Sequence, residues 1–140
     1  DAAGASYRDV GGAGLTAVAR AAGARRFVDV GHWSDAQLTA ADQARFFLRF
    51  DRLVPRAHRA FARQVLASVI APQRWGIAPI AARRHMSIFF KGGWRTGLVH
   101  QAARLERDGR RVALVVLTSG DPTQAYGEAT IEGIAARVLR

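Results

Sequence analysis

Asp108-Gly109 constrains this chain more tightly than any other pair of residues. It separates two runs, LVHQAARLE and RRVALVVLTS, whose apolar and β-branched content marks them as strands. A two-residue Asp-Gly loop needs positive φ at both positions, which these residue types tolerate, and it sets the flanking strands antiparallel. The second run, from Val112 to Leu117, is apolar on both faces. It is expected inside a sheet covered on both sides. A further apolar run, MSIFF, ends at Lys91-Gly92-Gly93, so about three strands follow one another as a meander.

Ahead of the meander the apolar period is that of helices. Residues 14–22 form a weak helix of small and aliphatic residues, closed by Gly23. A loop, FVDVGHWSDAQ, then carries Asp29, His32, Trp33 and Asp35. Thr39 is the expected N-cap of the next helix, with Asp42 three positions on as a variant of the capping box. Ala44, Phe47, Leu48 and Leu53 make its apolar face. Pro55 ends it, and HRAFARQVLASVI forms another helix with Phe61, Val65, Leu66 and Val69 on one side. Pro72 and Pro79 bracket a loop around Trp75 and Gly76. After the meander, Asp121 and Pro122 are the expected N-cap and first residue of a closing helix. Its packing stripe is Ile131, Ile134, Ala135 and Val138. Segregated helices and antiparallel strands indicate an α+β fold, helices first, then the three-stranded meander, then a C-terminal helix. No repeat or linker divides residues 1–140, which read as a single unit.

Composition excludes several classes of function. With no cysteine, disulfides, thiolate nucleophiles and thiolate metal sites are all absent. The four histidines, at 32, 58, 85 and 100, have no close ligand spacing, and neither a metal nor another cofactor is expected. The glycines of YRDVGGAGL are not followed by Gly-Lys-Ser/Thr, so they make no phosphate loop. The net charge of +10 favours anionic partners in general. The arginines are scattered, however, and lack interleaved stacking aromatics, so nucleic acid is not an expected partner. No apolar stretch approaches the roughly 20 residues that span a bilayer.

Of the 21 lysine and arginine side chains, only Lys91 is lysine. A compact ammonium on a flexible stem can work beside a reacting group in a way that the wide arginine fork does not. It stands at a strand end, before two glycines whose missing side chains leave a shelf on which a ligand can pair with the backbone. The Trp94 N–H, just past the glycines, is a candidate donor to a developing oxyanion, and the Trp94 ring a candidate cleft wall. His32 and His100 read as surface or hydrogen-bonded histidines, and Trp33 and Trp75 as core or loop anchors. Arg95 and Arg104 are weaker candidates for attracting a carboxylate.

The strand FFKGGW, the hairpin leading to RRVALVVLTSG and the closing helix IEGIAARVL resemble the C-terminal part of serine β-lactamases and penicillin-binding-type hydrolases. Those enzymes carry a Lys-Thr/Ser-Gly triad at the end of the strand lining the active site. Upstream, LTAADQARFF and the proline-rich loop are similar to the helical lobe of the class A-like branch. The resemblance implies acyl transfer through an active-site serine, with Lys91 and the Trp94 N–H in catalysis and Gly92, Gly93 and Trp94 against a small or peptide-like substrate. It also implies a secreted or cell-envelope setting.

The departures are equally informative. Neither Ser-x-x-Lys nor Ser-Asp-Asn occurs. The opening DAAGASYRDVGG is similar to the helix that follows the second of these motifs, so the chain is expected to be the C-terminal portion of a larger catalytic domain, inactive alone. Gly92 replaces the hydroxyl residue that holds a substrate carboxylate. The loop that carries a deacylating glutamate has none here; Asp29 and Asp35 read as solvated loop residues before they read as bases. Loss of the family's neighbouring strands would bare an apolar edge of VALVVL and invite self-association. The competing reading is a non-catalytic basic module for a peptide or an anionic polymer.

Overall fold

The computed structural model describes residues 2–140. Helix α1 (Ala2–Ala21) is two helical segments joined at Gly11, whose φ of 67° breaks the helical geometry. It therefore begins well before the expected Gly14. Gly23 closes it as expected, with Ala24 N–H returning to Ala19 C=O at 2.9 Å. The loop that follows is pinched by a bridge between Val28 and Gln37.

Helix α2 (Ala40–Leu53) starts on the Thr39 cap, whose hydroxyl oxygen accepts from the Asp42 N–H. Asp42 is buried and its carboxylate accepts from the Arg25 and Arg26 N–H groups at 2.8 and 3.1 Å. One carboxylate thus clamps the end of α1 to the start of α2. These bonds, the Arg25 N–H first, then the Thr39 hydroxyl and the Arg26 N–H, hold its pKa at about 2 against the opposing effect of burial. Because the folded value lies below the ordinary carboxylate value, the clamp stabilises the protein fully above about pH 4 and is lost as pH falls towards 2. Thermal unfolding between pH 5 and pH 2 should show this loss, and Asp42→Asn should flatten that limb; an unchanged limb would contradict the assignment.

The apolar stripe of α2 is Phe47 and Phe50, both buried, while Leu48 points to solvent. Helix α3 (Arg59–Ala67) departs further from expectation. Phe61 is 68% exposed and Val65 faces out, while Arg63 turns inward. The reason is the surface it meets. Arg63 lies 4.3 Å over the Phe89 ring and hydrogen-bonds Glu106 and Asp51. A charged, aromatic floor selects the arginine side of the helix. Helix α4 (Ile77–Arg83) takes the last three residues of the expected Pro72–Pro79 loop. Pro79 is its third residue, in the first turn, where no N–H is needed.

Strands β1 (Ser87–Arg95), β2 (Leu98–Arg107) and β3 (Arg110–Leu117) form an antiparallel sheet in the order β1-β2-β3. Asp108 and Gly109 have φ of 52° and 75°, as the hairpin requires. β2, not β3, is the central strand, and among the described residues β3 has no neighbour on its outer side. Its Val112 and Leu117 are correspondingly part-exposed. Register sets the faces: Phe89 pairs with Arg104, Lys91 with Ala102 and Gly93 with His100 on one side. Helices α2 and α3 cover part of that side. On the other, Ile88, Phe90, Val99, Ala103 and Leu105 pack against α4 and α5 (Gln124–Val138).

The cap of α5 is Thr123, two residues later than expected, its hydroxyl accepting from Tyr126 N–H at 3.1 Å. Asp121 instead bonds the Thr118 hydroxyl, and its N–H donates to Gly97 C=O. The buried stripe is Ile131, Ala135 and Leu139; Ile134 and Val138 face out. The expected helix–meander–helix order of an α+β fold is therefore present, with neighbouring helices choosing different faces than periodicity indicated. Among the described residues no helix is long and apolar enough to cross a membrane.

Candidate active site

β1 is an edge strand, and its C-terminal half carries Lys91, Gly92, Gly93 and Trp94 in succession. Alternate residues of a strand share a face. Lys91, Gly93 and Arg95 therefore project to the side of α2 and α3, Gly92 and Trp94 to the side of α4 and α5. The Lys91 ammonium donates to Gly92 C=O and sits 5.9 Å from the Trp94 ring centroid. Partial desolvation lowers its pKa from the ordinary value. A Gly92 carbonyl that reaches Lys91 Nζ faces away from β2, and the two-residue period turns the Trp94 N–H the same way.

The two glycines differ. Nothing lies within 4 Å of the place a Gly93 side chain would take, so the shelf is open there. At Gly92 the same place is filled: a Cβ would sit 2.8 Å from two ring atoms of Trp75. Trp75 also packs edge-on against Trp94, with ring centroids 5.8 Å apart and planes at 78°. The sequence showed Trp75 only as a loop anchor; the signal that it reaches the site is the bulk missing at Gly92. Gly92→Thr is accordingly expected to cost about 1–3 kcal/mol through overpacking. Trp75→Ala in the same chain should return part of that loss, as read by denaturant unfolding; equal stability of wild type and Gly92→Thr would refute the contact.

Loop 27–37 reaches this strand end as well. Asp35 Oδ1 accepts from Arg95 Nη1 at 2.7 Å, which ties the loop to the Lys91–Gly93–Arg95 side of β1. Asp35 is thereby committed to an ion pair, and Asp29 to the Tyr7 hydroxyl at 3.0 Å. His32 Nδ1 lies 2.8 Å from Ser34 Oγ, and Ser34 donates to Asp35 at 3.3 Å. Serine and carboxylate crowd the same ring nitrogen, so the carboxylate does not orient the imidazole from behind as a catalytic relay needs. His100, beside Gly93, accepts from Thr118 N–H through Nδ1 at 3.2 Å. Arg104 is fully buried under α2 and α3 and is engaged with Asp51 and Glu106. Among the described residues no cluster of three or more His, Asp or Glu could hold a metal ion.

Comparison with known proteins matches residues 7–140 to the model of a beta-lactamase enzyme family. No curated protein matches significantly. Six solved chains do. One is the crystal structure of beta-lactamase from Sphaerobacter thermophilus DSM 20745, with TM-score 0.78 and 20% sequence identity over 95% of this chain. The match covers 53% of that structure, so this chain spans about half its length. At that identity the likeness is one of fold.

Proposed function

The chain belongs to the beta-lactamase enzyme family, and we propose from that premise that it forms one wall of the active site of a serine hydrolase. The observation that carries this reading is the end of β1, where a lysine, an open glycine and an outward-facing N–H stand in line along a strand edge. A small or peptide-like substrate lies along that edge and pairs with its backbone. A serine oxygen attacks the carbonyl carbon of an amide or ester, and the Trp94 N–H supplies half of the oxyanion hole. The bond to the leaving group then breaks and the leaving group takes the serine proton. Water later attacks the acyl-serine, releasing the acid and restoring the hydroxyl. Lys91 attracts the substrate and supports the proton relay; Gly93 leaves its stretch of the strand edge open, and Gly92 makes room for the Trp75 indole beside it.

The nucleophile in this reading comes from residues ahead of Asp1, and residues 1–140 alone are inactive. The test is acylation by a fluorescent penicillin. The chain joined to its own preceding sequence should become labelled stoichiometrically, and Lys91→Ala should slow labelling about tenfold, or about 1.4 kcal/mol of barrier. Rapid stoichiometric labelling of residues 1–140 alone would overturn the placement of the nucleophile. The indole standing where a Gly92 side chain would be favours one second reading, a non-catalytic module that binds a peptide on the same strand edge. Reversible peptide binding that no penicillin competes with, in the joined protein, would favour it.

A further inference from the structure

We propose that the tip of the β2–β3 hairpin, at the end of the sheet away from Trp94, is a binding site for a phosphate-type oxyanion, an inference that goes beyond the hydrolase reading and does not rest on it. A shallow cleft of about 290 Å³ lies there. Its walls are Ser87 and residues 106–111, which bring Arg107, Arg110 and Arg111 together with Glu106 and Asp108. Ser87 begins β1 and Trp94 stands near its other end, roughly 23 Å along the strand. The cleft is therefore separate from the candidate active site.

Two observations make it an anion site, although two carboxylates line it. The first is how far those carboxylates are already engaged. Glu106 accepts from Arg63 at 2.8 Å and lies 2.9 Å from Arg104, both within the fold, before it meets Arg111 at 3.3 Å. Asp51 is held by the same Arg63 and Arg104. Asp108 is 87% exposed and reaches Arg107 only at 3.5 Å, where an ion pair contributes little. The Arg110 guanidinium has no hydrogen bond or ion pair among the described residues. Five guanidiniums thus share three carboxylates, and two positive charges are left unanswered.

The second observation is the register. Arg107 and Arg110 are partners directly across the ladder, and like charges in that position destabilise a strand pair. Arg107 Nη1 donates back to Arg84 C=O at 3.0 Å, so one of the two guanidiniums is held in place while the other is free to close. Arg111 reaches the cleft from the other face of the ribbon and stays 57% exposed. An oxyanion seated between these forks relieves the repulsion and accepts charge-assisted, bidentate hydrogen bonds. Phosphate, with up to two charges and several acceptor oxygens, matches both the excess charge and the number of forks. A carboxylate brings one charge and two oxygens, and answers half of the excess.

Titration with inorganic phosphate tests this, followed by amide chemical shifts and by thermal unfolding, with sodium acetate as the single-charge control and sodium chloride matching ionic strength. Phosphate is expected to give saturable shifts at Gly109, Arg110 and Arg111, with an affinity about tenfold above that of acetate. It should also raise the melting temperature, as binding to the folded state requires. Arg110→Gln should bind phosphate about tenfold more weakly and lose that rise. In chloride alone the same variant should melt no lower than wild type, because a repulsive neighbour has gone. Arg20→Gln, on α1, should change none of these. Phosphate acting no more strongly than acetate, or a phosphate response that survives Arg110→Gln, is general charge screening and overturns the site. Vesicles containing phosphatidylglycerol separate two sources of the same chemistry. Co-sedimentation that phosphate competes and Arg110→Gln abolishes identifies a lipid headgroup, whereas phosphate binding without co-sedimentation identifies a soluble phosphate. Vesicle binding without any phosphate response overturns the site as well.

Discussion

Glu106→Gln is expected to destabilise the protein by about 3–5 kcal/mol, whereas Arg104→Met should cost only about 0–2 kcal/mol, although Arg104 is the more deeply buried of the two. The asymmetry follows from which charge each change leaves behind. Glu106 accepts charge from three directions: Arg63 at 2.8 Å, Arg104 at 2.9 Å and Arg111 at 3.3 Å. These cations outweigh its own desolvation and hold its pKa below the ordinary value. Neutralising it leaves Arg104, with no solvent exposure, facing Asp51 as its sole remaining counter-charge among the described residues. Removing Arg104 instead leaves Asp51 and Glu106 paired with Arg63, and both carboxylates keep about a fifth of their surface in water.

Arg104 is also incompletely bonded: its Nε has no hydrogen-bond partner, and Nη2, though close to Glu106, lies off the hydrogen-bond line. Its guanidinium packs 4.1 Å over Phe50 and 5.1 Å from Phe89. Methionine retains those aromatic contacts without the desolvation cost. The double variant should recover much of the Glu106→Gln loss. Denaturant unfolding of the three variants decides it, and a larger loss for Arg104→Met than for Glu106→Gln would refute the account.

The same cluster explains where sequence reading succeeded and where it stopped. Features written in a few neighbouring residues were legible. The Asp108-Gly109 hairpin, the Thr39 cap and the Gly23 stop each depend on local backbone chemistry, and each stands where it was expected. Choices that depend on the opposite surface were not. Periodicity showed that α3 is amphipathic but not which side the sheet would accept, and the Glu106–Arg104 floor took Arg63 in place of Phe61. The α5 cap passed from Asp121 to Thr123 because Asp121 was already engaged by Thr118 and Gly97. In the candidate site, Lys91 and the glycines were visible as a compositional exception. Trp75 and Asp35 reach the same strand through long-range contacts that no local spacing encodes.

Gln101→Leu is expected to cost about 2–4 kcal/mol and to loosen the aromatic side of the candidate site. Gln101 is buried on the central strand, where a leucine of similar volume would satisfy every packing argument. Its amide, however, serves two backbone groups at once. Oε1 accepts from Ile77 N–H at 2.6 Å, and Nε2 donates to Trp75 C=O at 2.9 Å. Those groups flank Gly76, whose φ of 65° turns the chain into α4 and whose missing side chain leaves space for Gln101 and Ile131. Leucine would strand both groups in the core, each at roughly 1–3 kcal/mol. Gln101→Glu keeps the acceptor for Ile77 but not the donor to Trp75, so it should fall nearer the leucine variant than the wild type. Because Trp75 is released in both, the indole would no longer sit against Gly92 and Trp94, and tryptophan emission should shift to the red before global unfolding. Loss of stability with an unshifted emission would mean that Trp75 is held by Gly92 and Trp94 alone; no loss at all would mean that the amide holds nothing.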